Sequence, residues 1–264
     1  MSDMRENFDV IKGAEPFFHP GNEIGVLISH GFMGTPQSVQ YVGESLAQYG
    51  YTVLAPRLKG HGTHYLDLEK CTHEDWFNEL EKGYFQLKQT CENIYILGQS
   101  MGGALALCLA SKHKDISGII VINAALSVPT YDYLRERTSP RYIIEGEPDI
   151  KAANVYEITY SKVPIKAVHE LQKIMDISKK VIPTVHCPVL GIKSAIDHVA
   201  PPENTDFILQ NISSLQKKLK ILQNSYHVAS MDHDKLKIVE YSQQFIEELE
   251  GKASKRSNRW MESV

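Results

Sequence analysis

A chain of 264 residues, 42% hydrophobic and 23% charged, can bury on the order of 70–75% of the surface its unfolded form exposes, which excludes a disordered or fibrous protein. A formal net charge of -4 with pI ≈ 6.3 supplies no positive field to collect phosphates and argues against nucleic-acid binding. Met1–Val10 lacks the basic start and apolar run of a signal peptide, no stretch reaches the ~18 apolar residues of a membrane span, and Cys71, Cys91, Cys108 and Cys187 form no C-x-x-C pair; the expectation is a cytoplasmic protein with reduced thiols and no stable membrane insertion.

Short apolar, β-branched runs alternate with helical patterns along the chain. The first strong strand is Ile24–His30 (IGVLISH), stopped by Gly31, with a helix over Ser38–Tyr49 after it. Tyr51–Ala55 (YTVLA) is a strand stopped by Pro56, and a helix over His73–Thr90 leads to the strand Ile94–Leu97, stopped by Gly98. A helix over Gly102–His113 and a strand over Ile116–Asn123 follow. Pro188–Lys193 and Lys218–Leu222 are late strands flanking a helix at Pro202–Gln210, and the chain closes on a helix over Asp234–Glu250. Continuous apolar runs suit strands buried on both faces, so the fold class is α/β, a mostly parallel sheet flanked by helices. The tail Lys252–Arg259, with Lys255 and Arg256 among Ser and Asn, reads as a solvated, frayed terminus.

About sixty residues between Asn123 and Cys187 break the rhythm with Pro, Gly and one amphipathic helix near Ile165–Lys179, whose Val168, Leu171, Ile174 and Met175 share a side. A structureless loop of that length does not suit a compact domain. The expected organisation is a core of residues 1–123 and 187–264 with a small helical cap at 124–186 over the C-terminal edge of the sheet. An ordinary pair of sheet-covering helices is the alternative.

Chemistry concentrates in Gly98-Gln99-Ser100-Met101-Gly102, between a predicted strand and a predicted apolar helix. A serine nucleophile on a strand-to-helix turn needs glycines two residues either side so that strand and helix pass closely, and the helix N-terminus favours developing negative charge. His30-Gly31-Phe32-Met33-Gly34 ends the first strong strand at the same sheet edge, and the amides of Phe32 and Met101 are the natural oxyanion donors. His30 reads as a structural histidine bracing that loop. Of eleven histidines, His227 follows the last strand and precedes the closing helix, as a base should in this chain order; His233, among Asp232 and Asp234 at a solvated helix start, is its rival. Asp197, after the strand Pro188–Lys193, is the candidate acid, with Asp206 on the next helix as the alternative and His198 as a loop-packing neighbour. His61, His64 and Asp67 have a suggestive H-x-x-H-x-x-D spacing but sit in a turn, and neither metal nor cofactor is expected.

The set HGFMG, PRLKGHGTH, GQSMGG, IDHVAPP and NSYHV, in that order over Gly25–Phe245, resembles the bacterial monoacylglycerol lipases and the related small thermostable carboxylesterases of Bacillus. The resemblance implies the α/β-hydrolase fold, a Ser100–His227–Asp197 triad, Phe32 and Met101 as oxyanion donors, a cap, and a small-molecule ester substrate. Departures fall at Gln99, where many relatives carry Leu, and at Ser194-Ala195-Ile196, where some carry a further acid. For substrate, the cap offers Ile143, Ile144, Val155, Ile158, Leu171 and Met175 as an apolar tunnel. Glu157 matches an acidic position of those lipases and is the candidate for binding hydroxyls, with a solvated surface Glu as the plainer reading. A binding protein that keeps the fold without catalysis is the rival from another class, and a fluorophosphonate probe separates the two.

Overall fold

The β-branched runs become one seven-stranded sheet. The computed structural model describes the backbone of residues 5–261 and side chains through residue 251. In chain order the elements are β1 (Phe17–His19), β2 (Ile24–Ser29), α1 (Gln37–Gln48), β3 (Thr52–Ala55), α2 (Tyr65–Leu68), α3 (His73–Leu87), β4 (Asn93–Gln99), α4 (Met101–Lys112) and β5 (Gly118–Ile122). They continue with β6 (Tyr142–Ile144), β7 (Lys162–Pro164), α5 (Ile165–Val181), β8 (Val189–Ser194), α6 (Glu203–Asn211), β9 (Lys217–Leu222) and α7 (Lys235–Met261). The sheet order is β1-β3-β2-β4-β5-β8-β9, with only β1 antiparallel to its neighbour.

Successive strand residues point to opposite faces, and each face has its own core. Leu27, Ile96, Ile119 and Val121 pack with Trp76 and Leu80 of α3, Leu105 and Leu109 of α4 and Ile208 of α6. Val26, Ile28, Leu97, Ile120 and Ile122 pack with Val39, Val42 and Leu46 of α1 and Ile238, Phe245 and Ile246 of α7. Two buried faces are the reason these strands read as unbroken apolar runs. Thr72 and Asp75 start α3 with a reciprocal capping box. α4 is apolar all round because it is buried all round. It also passes so close to the sheet that a Cβ on Gly102 would lie 2.3 Å from the carbonyl oxygen of Ser29, which only glycine permits.

Three features differ from expectation. β1 escapes pattern reading because it is three residues long at the sheet edge. α7 continues past Glu250 to Met261: no proline interrupts Lys252–Arg259, so the backbone there is helical rather than frayed, and the solvation of those side chains lies outside the described residues. Residues 124–186 are not purely helical, since β6 and β7 form an antiparallel pair of their own with Tyr142 opposite Pro164. The predicted side of α5, Val168, Leu171, Ile174 and Met175, is buried in the same core as α4.

Candidate active site

The parallel strands β2, β4, β5, β8 and β9 all end at one edge, where an α/β sheet places its ligand crevice. Ser100 links β4 directly to α4 in a backbone conformation of φ 55, ψ -120, a strained region for a residue with a Cβ. The strain is held by neighbours: Ser100 N–H donates to the Ile122 carbonyl at 2.9 Å and Ala125 N–H to the Ser100 carbonyl at 3.0 Å. The side chain therefore stands out of the turn toward the loops after β8 and β9.

Those loops bring the predicted partners. His227 Nε2 lies 2.9 Å from Ser100 Oγ, and His227 Nδ1 lies 2.8 Å from Asp197 Oδ2. Asp197 Oδ1 accepts the amides of Val199 and Ala200 at 2.9 and 2.8 Å, which fixes the carboxylate within its own loop. With Nδ1–H donated to Asp197, Nε2 is left to accept the serine hydroxyl. The side chain of Asp197 is 0% exposed and that of His227 8%. The rivals are elsewhere: His233 is exposed, and Asp206 forms an ion pair with Lys193 at 2.6 Å. Asp232 and Asp234, expected at a solvated helix start, are instead buried. Asp232 accepts the amides of Tyr226, Lys151 and Ala152 at 2.9, 2.8 and 2.9 Å, and Asp234 that of Asn224 at 2.7 Å.

Two further residues, Asn123 and Gln99, brace the site through long-range contacts that the local sequence does not reveal. Asn123, left-handed at φ 45, donates through Nδ2 to the carbonyls of Tyr226 and His227 and accepts the Ser194 amide at 2.7 Å. Gln99 Oε1 accepts the amide of Ser230 at 3.1 Å, tying the serine turn to the stretch after His227.

The loop after β2 lies against the serine, with Gly31 so near that a Cβ there would stand 3.2 Å from Ser100 Cβ. His30 is fully buried; its Nδ1–H donates to the Gly31 carbonyl at 2.9 Å and its Nε2 accepts the Leu58 amide at 3.2 Å. Burial first, then the neighbouring His61, push its pKa well below the ordinary value, so it is a neutral strut as expected. The Phe32 ring packs edge-on against Trp76, His61 and Tyr131. Met101 opens α4, where first-turn amides have no carbonyl one turn back. His61, His64 and Asp67 do not converge. His61 is buried under Phe32, with its pKa lowered to about 4 mainly by burial, His64 caps α2, and Asp67 accepts the amides of Asn7 and Phe8.

Above Ser100 lies a cavity of ≈ 100 Å³ lined by Phe32, Met33, Val128, Tyr131, Glu145, Glu147, Asp149, Glu157, Thr159, Leu171, Val199, His227 and Val228, among others. The expected apolar tunnel is corrected here, because Leu171 is the only one of its nominated side chains on this wall. Met175 is buried behind it, Ile158 is buried, Ile143 is half-buried against the core, and Val155 and Ile144 are exposed, Ile144 to 77%. Alternation along β6 turns Ile143 inward and Ile144 outward.

Glu157 is not a solvated surface residue but is buried in the cavity wall. Gln37 of α1 holds it there by gripping both neighbours: its Nε2 donates to the Tyr156 carbonyl at 2.8 Å and its Oε1 accepts the Ile158 amide at 3.1 Å. Burial pushes the carboxyl from 4.5 up to about 7, against smaller opposing pulls from the Ser38 hydroxyl and His227. The folded protein thus holds this proton more tightly than the unfolded chain. That contribution to stability is complete below 4.5 and is lost as pH rises through about 7. Glu157→Gln is expected to remove this part of the pH dependence, roughly 3 kcal/mol, in urea unfolding compared across that window.

A strained serine on a strand-to-helix turn, with a histidine and a carboxylate from later loops, on this sheet defines a serine hydrolase of the α/β-hydrolase fold. The chain belongs to the family described as serine aminopeptidase, S33, whose profile matches residues 22–234. It is 45% identical to the thermostable monoacylglycerol lipase of Bacillus sp. (strain H-257), over 92% of this chain and 98% of that one. It is 27% identical to a carboxylesterase of Bacillus subtilis (strain 168), over 89% and 97%. A solved structure from work on the metagenome-derived lipolytic enzymes LipS and LipT superposes with a TM-score of 0.88 at 40% identity, covering 91% of this chain and all of that one. A soluble variant of monoglyceride lipase from Saccharomyces cerevisiae, in complex with a substrate analogue, shares the fold at a TM-score of 0.72 and 18% identity, over 89% and 91%.

Proposed function

We propose that the protein hydrolyses carboxylic esters, foremost monoacylglycerols to fatty acid and glycerol, through an acyl-enzyme on Ser100. The observation that carries this reading is the line of hydrogen bonds from Ser100 Oγ through His227 to Asp197, 2.9 and 2.8 Å long, beneath a cavity. Ser100 Oγ attacks the ester carbonyl as its proton passes to His227 Nε2, and Asp197 steadies the imidazolium. The amides of Phe32 and Met101 receive the oxyanion. The tetrahedral intermediate expels the alcohol, which takes the proton from His227; water, deprotonated by the same histidine, then releases the acid and restores Ser100. The cycle balances with water alone, so no cofactor enters it.

In this reading residues 124–186 are a cap on a core of 1–123 and 187–264. Glu157 accepts hydrogen bonds from glycerol hydroxyls inside the cavity, and Leu171 on its wall meets the acyl chain, a part the outward-turned Ile144 cannot take. The acidic net charge and the four free cysteines are in keeping with a neutral ester as partner and the cytoplasm as location. A broader short- or medium-chain carboxylesterase is the second reading, favoured by the modest cavity of ≈ 100 Å³.

A substrate comparison decides between them. Glu157→Leu is expected to weaken hydrolysis of 1-monoglycerides by at least about tenfold more than that of p-nitrophenyl esters of the same acyl chain, since only the former offer hydroxyls to the carboxylate. Equal losses on both would remove the glycerol role of Glu157 and favour the broader esterase.

A further inference from the structure

We propose that Asp149, which the 124–186 segment carries to the cavity wall, is a positioning residue for His227 and the Asp197 loop, a role that rests on the triad of the proposed function. Asp149 Oδ2 accepts the backbone amide of His227 at 3.1 Å and that of His198, next to Asp197, also at 3.1 Å. Its Oδ1 meets His198 Nδ1 at 2.7 Å, and its own carbonyl accepts the amide of Val228 at 3.1 Å. One residue thus ties the acid loop to the base loop and takes the amides of His227 and of the residue after it. The side chain is 15% exposed, and hydrogen bonds to a carboxylate in such a setting are strong.

The next residues add to the tie. The amides of Lys151 and Ala152 donate to Asp232, which also accepts the amide of Tyr226, the residue before His227. Residues 149–152 are therefore fastened around Tyr226, His227 and Val228 together. The His227 imidazole must satisfy Ser100 and Asp197 at the same time, and misplacement of a reacting group by 1 Å costs on the order of 10²-fold. The strap therefore holds the backbone on both sides of the base where the imidazole reaches Ser100 and Asp197 together.

The test compares Asp149→Ala and Asp149→Asn in the full chain, by kcat and KM on a p-nitrophenyl ester, by the rate of fluorophosphonate labelling, and by Tm. Asp149→Ala is expected to lower kcat and the labelling rate together, on the order of 10- to 100-fold, with KM nearly unchanged. Asparagine keeps an oxygen for both amides and turns an NH₂ toward His198 Nδ1, so it should restore both rates to within about threefold of the parent. A fully folded Asp149→Ala protein with both rates within about twofold of the parent would overturn the proposal. So would a raised KM at constant kcat, which marks a substrate contact instead. Should the alanine variant not fold, Asp149→Ser, too short to bridge both amides, gives the same reading. Failure of both to fold would make Asp149 a stability residue and overturn the proposal too. Ser100→Ala is run in parallel: labelling that survives there withdraws the triad itself, whereas its loss beside a parent-like Asp149→Ala removes only the positioning role.

Discussion

Ser100→Ala is expected to lower ester turnover by about 10³-fold or more and to abolish fluorophosphonate labelling, with Tm close to the parent's. The side chain loses one oxygen, and the bonds that hold the strained turn run through the backbone, from Ser100 N–H to Ile122 and from Ala125 to the Ser100 carbonyl. Alanine keeps the Cβ against which Gly31 packs. The turn survives, and what is lost is the oxygen 2.9 Å from His227 Nε2 that is acylated in the proposed cycle. Residual hydrolysis should reflect oxyanion donors acting on bound ester with water as nucleophile. Labelling that persists on another serine would sink the assignment.

Substitution of its partners should rank as sharply. His227→Ala removes the proton acceptor of Ser100. Asp197→Asn is subtler: an amide oxygen can still accept the Val199 and Ala200 amides, so the loop remains, but the NH₂ cannot accept His227 Nδ1–H. The imidazole then holds its proton on Nε2 and can no longer take one from serine, at a cost on the order of 10⁴-fold in kcat. Asp206→Asn removes a part-exposed ion pair with Lys193, and His233→Ala an exposed ring; neither should change kcat by more than about twofold. Steady-state kinetics on the four variants, with circular dichroism for folding, checks the ranking, and the reverse order would relocate the acid and base.

The fold and the line through Ser100, Asp197 and His227 were legible in the sequence because local rules write them down. Strands buried on both faces are unbroken apolar runs, and a serine on such a turn needs Gly98 and Gly102 beside it. Chain order then selects the later partners. What stayed hidden depends on meetings between distant segments. Asp149 reads as one more acid after a proline until its carboxylate is seen on the amides of His198 and His227. Asp232 and Asp234 read as surface charge because composition does not tell which acids will find backbone amides underneath. The tunnel residues were misplaced for a related reason: without the two-stranded pairing of Tyr142–Ile144 with Lys162–Pro164, nothing in the run Tyr-Ile-Ile says which isoleucine turns in.

The acidity of the cavity wall bears on how the product leaves. Glu145, Glu147, Asp149 and Glu157 all line it, and among the described lining residues there is no Lys or Arg. The monoglyceride of the proposed reaction is uncharged, so this wall would cost it little on entry. In the proposed cycle deacylation leaves a carboxylate in this chamber, and whichever of the wall's acids are ionised repel it. Burial has already raised Glu145 and Glu157 toward their neutral forms, and a new anion beside them raises them further. On the proposed reaction, the wall is expected to favour the uncharged ester over the acid made from it, which turns product release toward the solvent.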